Sequence, residues 1–290
     1  MNTSLVASSR THTSVYGMAA HRLFRHRLGR LGLIVLAALV VIASVAPLVA
    51  PYDPTEIYYE SILSAPSMTH WLGTDDVGRD LLSRLIYGSR VSFEVIGISI
   101  SGAIVAGSAL GMVSGYIGGW VDRVVMSVMD GMLAFPMLVL ALGIISVLGP
   151  SLMNAAIAIT IVNVPGFARL VRGQVLVVRG LDYVQAARAL GARDLRIIVH
   201  HIWPKVAGNV VVYASLRGSA ALITEASLAF LGLGVQPPIP SWGGMLTTAM
   251  QYWDAWWMSV FPGGAICITV LALNFIGDAL RDALDVHLAD

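Results

Sequence analysis

Charged side chains are rare inside the apolar stretches of this chain, and the few that occur there are candidates for chemistry. Arg217 and Glu225 lie within one such stretch, where an ionisable residue marks a pathway, a gate or a buried partner. They are eight residues apart, about 12 Å along a helix, so each needs a partner on another helix, on another subunit or in water. Asp130, near the end of a different apolar stretch, is a third pathway or gate candidate, although an interfacial ion pair would also account for it.

Other reactive side chains do not form a catalytic or metal-binding pattern. Asp75, Asp76 and Asp80 are clustered, but the spacing and the terminal Glu of a calcium-binding EF-hand loop are absent. His200 and His201 are adjacent and point to different helical faces, so a shared metal is not expected. The apolar region offers no convergent acid, base and nucleophile. The sequence therefore predicts no catalytic residue and no metal site, and the chain is not expected to be an enzyme.

Neither a nucleotide nor a nucleic acid is an expected ligand. The single lysine, Lys205, lies in WPKVAG, so the chain has no G-x-x-x-x-G-K-[ST] loop to bind a nucleotide. A reaction driven by ATP would take its energy from another subunit. The net charge of +1 argues against nucleic acid, which calls for a basic face.

The composition is that of a membrane protein. Of the 290 residues, 57% are hydrophobic and 12% are charged, and the mean hydropathy is +0.77. A helix needs about 20 apolar residues to cross a bilayer, and six such spans are present, which predicts an all-α integral membrane protein. The spans cover approximately 31–50, 95–116, 124–148, 152–168, 207–231 and 257–276.

Basic residues set the expected orientation of the spans. They are concentrated before the first span and between the fourth and the fifth, whereas the segment after the fifth has none. Because basic loops stay in the cytoplasm, residues 1–30, the loop 172–206 and the tail 286–290 are expected there, and segment 51–90 outside. Residues 91–285 would then form a core of five spans. The first span, 31–50, could be a cleaved signal peptide, but its length and its long polar leader favour a retained anchor.

Glycine and proline predict how the spans pack. Gly107, Gly111 and Gly115 repeat every four residues, which places a flat stripe on one face of the second span where another backbone can approach. Pro136 and Pro165 interrupt the third and fourth spans. Simple kinks explain them better than a pathway role, since neighbouring helices can satisfy the freed carbonyls.

Two segments outside the spans predict surface structure. Apolar residues at helical spacing from 77 to 86, with Asp80 and Arg84 mostly away from that face, indicate an amphipathic helix on the outer surface that leads into the second span. Tyr252, Trp253, Trp256 and Trp257 are the kind of cluster that anchors a protein at the headgroup level.

The polar insert DYVQAARALGARDLRIIVHHIWPKV separates the fourth and fifth spans and has the pattern of a short, bounded helix. Asp182 and Gln185 have the spacing of a capping box, and Gly191 is placed as a C′ glycine. Four residues share one helical face: Tyr183, Ala186, Ala187 and Leu190. A second helical stretch follows, punctuated by Pro204. A helix with small residues can lie close in a partner's groove, so the insert is predicted to be a docking element.

The insert resembles the cytoplasmic coupling loop of ABC importer permeases. The family pattern is EAA, three residues, Gly, nine residues, an apolar residue, one further residue, Leu and Pro. Five residues follow it in register: Gln185, Ala186, Ala187, Gly191 and Pro204. Gln185 replaces Glu, His201 replaces the apolar residue and Trp203 replaces Leu. Gln keeps the capping geometry but loses the charge of Glu.

Longer strings extend this resemblance from about residue 22 to 285. HWLGTDDVGRDLLSRLIYGSRVSF, EASLAFLGLGVQPPIPSWGGML and FPGGAICITVLALNFIGDALRDALD are similar to the C-type permease of dipeptide, oligopeptide and nickel importers. The resemblance implies a type I ABC importer permease fold in a bacterial inner membrane, with Glu225 near an outer gate. The implied partners are a sister permease, two P-loop ATPases that bind ATP and Mg, and an extracytoplasmic substrate-binding protein. No cofactor is expected in this chain itself.

The substrate stays open at this point. The resemblance favours dipeptides or short oligopeptides, while close relatives carry nickel complexes, glutathione or opines. An ion-coupled secondary transporter is the alternative from a different class, in which Arg217 and Glu225 would couple transport to an ion. That class is expected to show an internal repeat, and no clear repeat is present.

Overall fold

The computed structural model describes residues 26–284, and these residues form helices with one isolated β-bridge between Thr74 and Asp80. The α-helices are α1 (Arg27–Ser44), α2 (Ala46–Val49), α3 (Leu81–Ile117), α4 (Gly119–Leu133), α5 (Met137–Leu148), α6 (Leu152–Val178), α7 (Asp182–Ala189), α8 (Asp194–Arg196), α9 (Trp203–Phe230), α10 (Trp242–Ala249) and α11 (Trp257–Leu284). The predicted all-α fold class is confirmed. Most of the predicted segment 1–30, and the tail 286–290, lie outside the described residues.

Within residues 26–284, five helical stretches are long and apolar enough to cross a bilayer: α1, α3, α6, the run Asp194–Phe230 and α11. Helices α4 and α5 make a sixth candidate together, but they are bent by 95° at their junction. Pro136, the N-cap of α5, explains the break, because proline lacks an amide hydrogen and disfavours a helical residue before it. The predicted third span, 124–148, is therefore present as two helices, and the interruption expected at Pro136 is a sharp bend instead of a simple kink. Pro165 lies within α6, which continues through it.

The helices extend further than the apolar stretches predicted. Helix α3 begins at Leu81 instead of near 95, and α6 continues to Val178. Hydropathy marks only the part of a helix that crosses the bilayer, whereas the helix itself ends where the backbone stops it, as at Gly118 with a φ of 72°.

The outer amphipathic helix predicted over 77–86 is present from Leu81 onward, as the first part of α3. Its predicted polar face is not fully exposed. The helix starts after Asp80, whose carboxylate accepts a hydrogen bond from the Ser83 amide at 2.8 Å. Arg84, expected on a polar outer face, is buried. Its guanidinium donates to the carbonyl oxygen of Pro54 at 2.9 Å, so the segment before α3 folds back over this part of the helix.

The bundle has two distinct ends. Helix α7 joins α6 to α9 at one of them, and α10 lies between α9 and α11 at the other. These ends are called the α7 end and the α10 end. Helix α3 runs from the α10 end, where Trp242 of α10 donates its Nε1 hydrogen to the carbonyl oxygen of Leu85 at 3.0 Å, to the α7 end.

The glycine stripe of α3 packs directly on α6. A Cβ atom at Gly107 would lie 2.5 Å from the Cβ of Phe167, and one at Gly115 would lie 2.9 Å from the Cβ of Val175. At Gly111 it would overlap the carbonyl oxygen of Ala168. This backbone-to-backbone approach is the arrangement that small residues permit in membrane helices.

Candidate functional site: the α7 connection and the charged residues of the spans

Helix α7 begins differently from the capping box that its sequence predicts. Asp182 is the first helical residue, and Leu181 before it takes the N-cap position without a side-chain bond to the helix. The Gln185 side chain donates its Nε2 hydrogen to the carbonyl oxygen of Arg179 at 2.8 Å. The predicted capping box is therefore wrong, because the N-cap position lies one residue before Asp182. Asp182 still favours the helix, because a carboxylate in the first turn interacts with the helix dipole.

The C-terminus of α7 has the predicted glycine. Gly191 has a φ of 81°, which a residue with a Cβ adopts only at a cost. Its amide donates to the carbonyl oxygen of Arg188 at 2.9 Å, and the amide of Ala192 donates to that of Ala187 at 3.1 Å. These two bonds make a Schellman motif, which ends the helix sharply.

Most of the surface of α7 is free of contacts with the rest of the chain. Val184 is its buried residue, and the hydroxyl of Tyr183 donates to the carbonyl oxygen of His201 at 3.0 Å. Of the predicted docking face, Tyr183 and Ala186 are exposed, Ala187 is half-buried, and the Leu190 side chain is 88% exposed. A helix fixed to the bundle on one side thus presents Leu190 and small residues on the other.

The stretch after α7 leads into a long helix without interruption. Helix α8 is followed by the π-helical segment Ile197–Ile202, which passes directly into α9. Pro204 lies in the first turn of α9, where the π-helical segment passes into the α-helix, so it marks this transition within the helical stretch. The first turn of a helix tolerates proline, and a π-helical segment often occurs at a functional site.

Side chains missed by the sequence analysis connect α7 to the spans. The guanidinium of Arg188 donates to the Tyr116 hydroxyl at 3.3 Å and lies 5.5 Å from the centre of the Tyr116 ring. The same hydroxyl donates to Asp194 at 2.5 Å. Arg179 donates to the carbonyl oxygen of Gly115 at 2.8 Å. The C-terminus of α3 is therefore bonded to both sides of α7, and no sequence pattern pairs residues this far apart.

Glu225 is buried within the bundle. It is 2% exposed, and the Ser92 hydroxyl of α3 donates to its Oε2 at 3.2 Å. Within residues 26–284, no basic side chain lies within ion-pair distance of it. The expectation that its partner lies on another helix is met by Ser92, which is a neutral partner.

Arg217 finds its partner in its own helix, one turn earlier. Its Nε donates to the Tyr213 hydroxyl at 2.7 Å, and its guanidinium lies 5.1 Å from the centre of that ring. The expectation of a partner on another helix, another subunit or in water overlooked this pairing, because residues four apart are neighbours on a helix surface.

Asp130 is paired across two helices. Its carboxylate accepts from the guanidinium of Arg169 on α6 at 2.5 Å, and both side chains are more than half exposed. The structure therefore supports the ion-pair explanation of Asp130.

The carboxylates of the acidic cluster before α3 pair with basic side chains of the same chain. Asp75 lies 2.7 Å from the Nε of Arg79 and 3.3 Å from that of Arg84, while Asp80 lies 3.0 Å from the Nδ1 of His70. Within residues 26–284, no group of three His, Cys, Asp or Glu residues has metal-binding geometry.

One residue of the aromatic cluster departs from the predicted interfacial anchor. Trp257 is buried, and its Nε1 donates to the carbonyl oxygen of Thr74 at 3.0 Å. Trp253 and Trp256 are 82% and 53% exposed, which suits the interfacial interpretation. Trp257 instead holds the segment before α3 onto α11.

Comparison with known proteins agrees with this architecture. Residues 107–289 match the family of binding-protein-dependent transport system inner membrane components, and residues 14–66 match the N-terminal TM domain of oligopeptide transport permease C. A dipeptide transport system permease of Alkalihalophilus pseudofirmus is 44% identical over 95% of this chain and 91% of its own length. A glutathione transport system permease of Pectobacterium atrosepticum is 43% identical over 89% and 86%. A di/tripeptide transport system permease of Pseudomonas aeruginosa is 43% identical over 91% and 90%.

The two matched regions overlap the helical bundle from α1 to α11, and the relatives cover nearly the whole chain at high identity. The bundle of apolar helices is that of a multi-pass membrane subunit. The chain belongs to the family of inner-membrane components of binding-protein-dependent ABC transport systems, as a C-type permease of the peptide importers.

Proposed function

We propose that this chain and a sister permease form the translocation pathway of an ATP-driven importer. Two P-loop ATPases, which bind ATP and Mg, would dock at the α7 end in the cytoplasm, and an extracytoplasmic binding protein would deliver the substrate at the α10 end. The distribution of basic residues supports this orientation. Both termini would then be cytoplasmic.

The observation that carries the proposal is the exposure of α7. Leu190 is 88% exposed at the end of a helix that is held to the bundle by Val184 and Tyr183. An exposed leucine beside small residues, on a helix that a Schellman motif ends sharply, suits insertion into a groove of a partner. The bonds of Tyr116 to Arg188 and Asp194 would pass a displacement of α7 to α3.

The test is co-purification of ATPases with the tagged chain in mild detergent. Leu190→Arg introduces a charge at a side chain that is 88% exposed, so the permease should fold while the docking surface is disrupted. Met68→Arg is the matched control, since Met68 is 94% exposed in the segment before α3, at the opposite end of the bundle. We expect wild type and Met68→Arg to recover the same amount of ATPase. Leu190→Arg should recover at least ten-fold less.

Two outcomes would count against this proposal. Equal recovery with all three proteins would mean that α7 is not the docking element. Absence of ATPases from the wild type, under conditions that preserve other importers, would favour an ion-coupled secondary transporter.

The proposed substrates are dipeptides or short oligopeptides. Relatives that transport dipeptides and di/tripeptides are 44% and 43% identical to this chain. Glutathione is the second candidate, because a glutathione permease is equally similar at 43%. Uptake of labelled dipeptide and labelled glutathione by cells with and without this chain separates them. We expect deletion to abolish dipeptide uptake, and loss of glutathione uptake alone would reverse the assignment.

A further inference from the structure

A cavity of about 410 Å³ opens at the α7 end between α6, α9 and α11, away from helix α7 itself. Its polar lining includes Gln174 from α6, Asn209 from α9 and Arg281 from the last turn of α11. Three different helices therefore each contribute a hydrogen-bond donor to one space.

These three side chains have no partners within residues 26–284. Neither Gln174 nor Asn209 makes a side-chain hydrogen bond there, and no carboxylate of that range lies within ion-pair distance of Arg281. The neighbouring carboxylate of Asp282 instead lies 3.8 Å from the Nε2 of His26. An arginine with two unpaired amide side chains around one cavity is suited to an anion.

Most of the remaining lining is apolar, apart from the Tyr213 hydroxyl, which accepts a hydrogen bond from Arg217. Leu284 follows Arg281 at the rim, whereas the other apolar side chains lie deeper in the bundle. Leu170 precedes Gln174 by one turn of α6, about 6 Å further from the α7 end. On α9, Leu216 is about 10 Å deeper than Asn209. The cavity thus has its three unpaired polar side chains at the rim and mainly apolar side chains inside, which suits a molecule with an anionic head and a hydrocarbon chain.

We propose that this cavity binds the phosphate headgroup of an anionic phospholipid, with an acyl chain along Leu170 and Leu216. Arg281 lies at the end of a membrane-spanning helix, where basic pockets between helices receive lipid headgroups. Gln174 and Asn209 donate further hydrogen bonds to the phosphate oxygens. This inference does not depend on the identity of the transported substrate.

The experiment uses the complex purified with this chain, stripped of lipid and titrated with dioleoyl phosphatidylglycerol, dioleoyl phosphatidylcholine or inorganic phosphate. Native mass spectrometry counts the bound lipids. We expect the anionic lipid to be retained at least five-fold better than phosphatidylcholine, and Arg281→Gln to remove that preference. Arg123→Gln, at an exposed arginine of α4 without an ion pair in the described chain, is the matched control and should keep it.

A second variant separates a lipid from a free anion. Leu170→Trp fills the apolar part and leaves Arg281 in place, so it should reduce lipid retention. Millimolar inorganic phosphate should fail to displace the lipid, because it lacks the chain. Equal retention of both lipids, equal effects of Arg281→Gln and Arg123→Gln, or full displacement by phosphate would each overturn the proposal.

Discussion

The buried environment of Glu225 predicts how a substitution there changes the stability of the permease. Its carboxyl is buried against the Ser92 hydroxyl, with no cation within ion-pair distance in the described chain. A neutral amide is less costly to bury than a carboxylate and still accepts the serine hydrogen bond. Glu225→Gln should therefore leave the thermal stability of the purified permease unchanged or raised. Loss of several degrees in Tm would instead reveal a cationic partner, on another subunit.

The tight contact at Gly111 gives a second prediction at the level of one atom. Gly111→Ala adds a methyl group that overlaps the carbonyl oxygen of Ala168, whereas the same change at Gly97 of α3 meets nothing within 4 Å. Overpacking of this kind costs about 1–3 kcal/mol. Thermal unfolding followed by size-exclusion chromatography should show a lower Tm for Gly111→Ala. Gly97→Ala should match wild type, and equal behaviour of the two would refute backbone-to-backbone packing of α3 on α6.

Among the elements, α7 depends on its connection to α3. The Tyr116 hydroxyl joins Arg188 and Asp194, and it lies outside the exposed surface around Leu190. Tyr116→Phe should leave ATPase co-purification unchanged while lowering ATP-dependent uptake several-fold, because the helix still docks but moves α3 less effectively. Tyr87→Phe, at a tyrosine of α3 whose hydroxyl makes no hydrogen bond within residues 26–284, is the control. Parallel loss of binding and uptake would show that Tyr116 only maintains the shape of the docking surface.

Local sequence predicted the elements better than their boundaries and contacts. Gly191 was found because a positive φ leaves few alternatives to glycine. The start of α7 was missed by one residue, because Leu181 and Asp182 can both precede a helix and only the backbone distinguishes them. The burial of Arg84 depends on Pro54, which is distant in the chain. No periodicity in a single segment carries that information.

At the scale of the whole molecule, the proposed orientation places the two ends of the bundle in different compartments. Cys267 is the only cysteine, so Cys267→Ser gives a background for single reporters. We expect Met68→Cys to react with a membrane-impermeant maleimide in spheroplasts and Leu190→Cys to react only in inverted vesicles. Both positions are highly exposed, at 94% and 88%. The reverse labelling pattern would invert the topology and remove α7 from the cytoplasmic ATPases.

The arrangement of the spans was predictable in number because apolar length is a property of composition. A kink was predicted at Pro136, but a bend as large as 95° between α4 and α5 was not. A proline within a span can lie in a continuous helix, as Pro165 does in α6, or it can separate two helices, as Pro136 does before α5. Packing against neighbouring helices decides between them.

The attachment of α7 through Val184 has a consequence for how such subunits diverge. With its end fixed by a Schellman motif and its inner side fixed by one buried residue, the outward surface can change without refolding the bundle. If the ATPases dock on α7 as proposed, the two subunits can accumulate matched substitutions at their junction while the pathway stays intact. Exchange of this short helix between homologous importers should therefore transfer the choice of motor and leave the choice of cargo untouched.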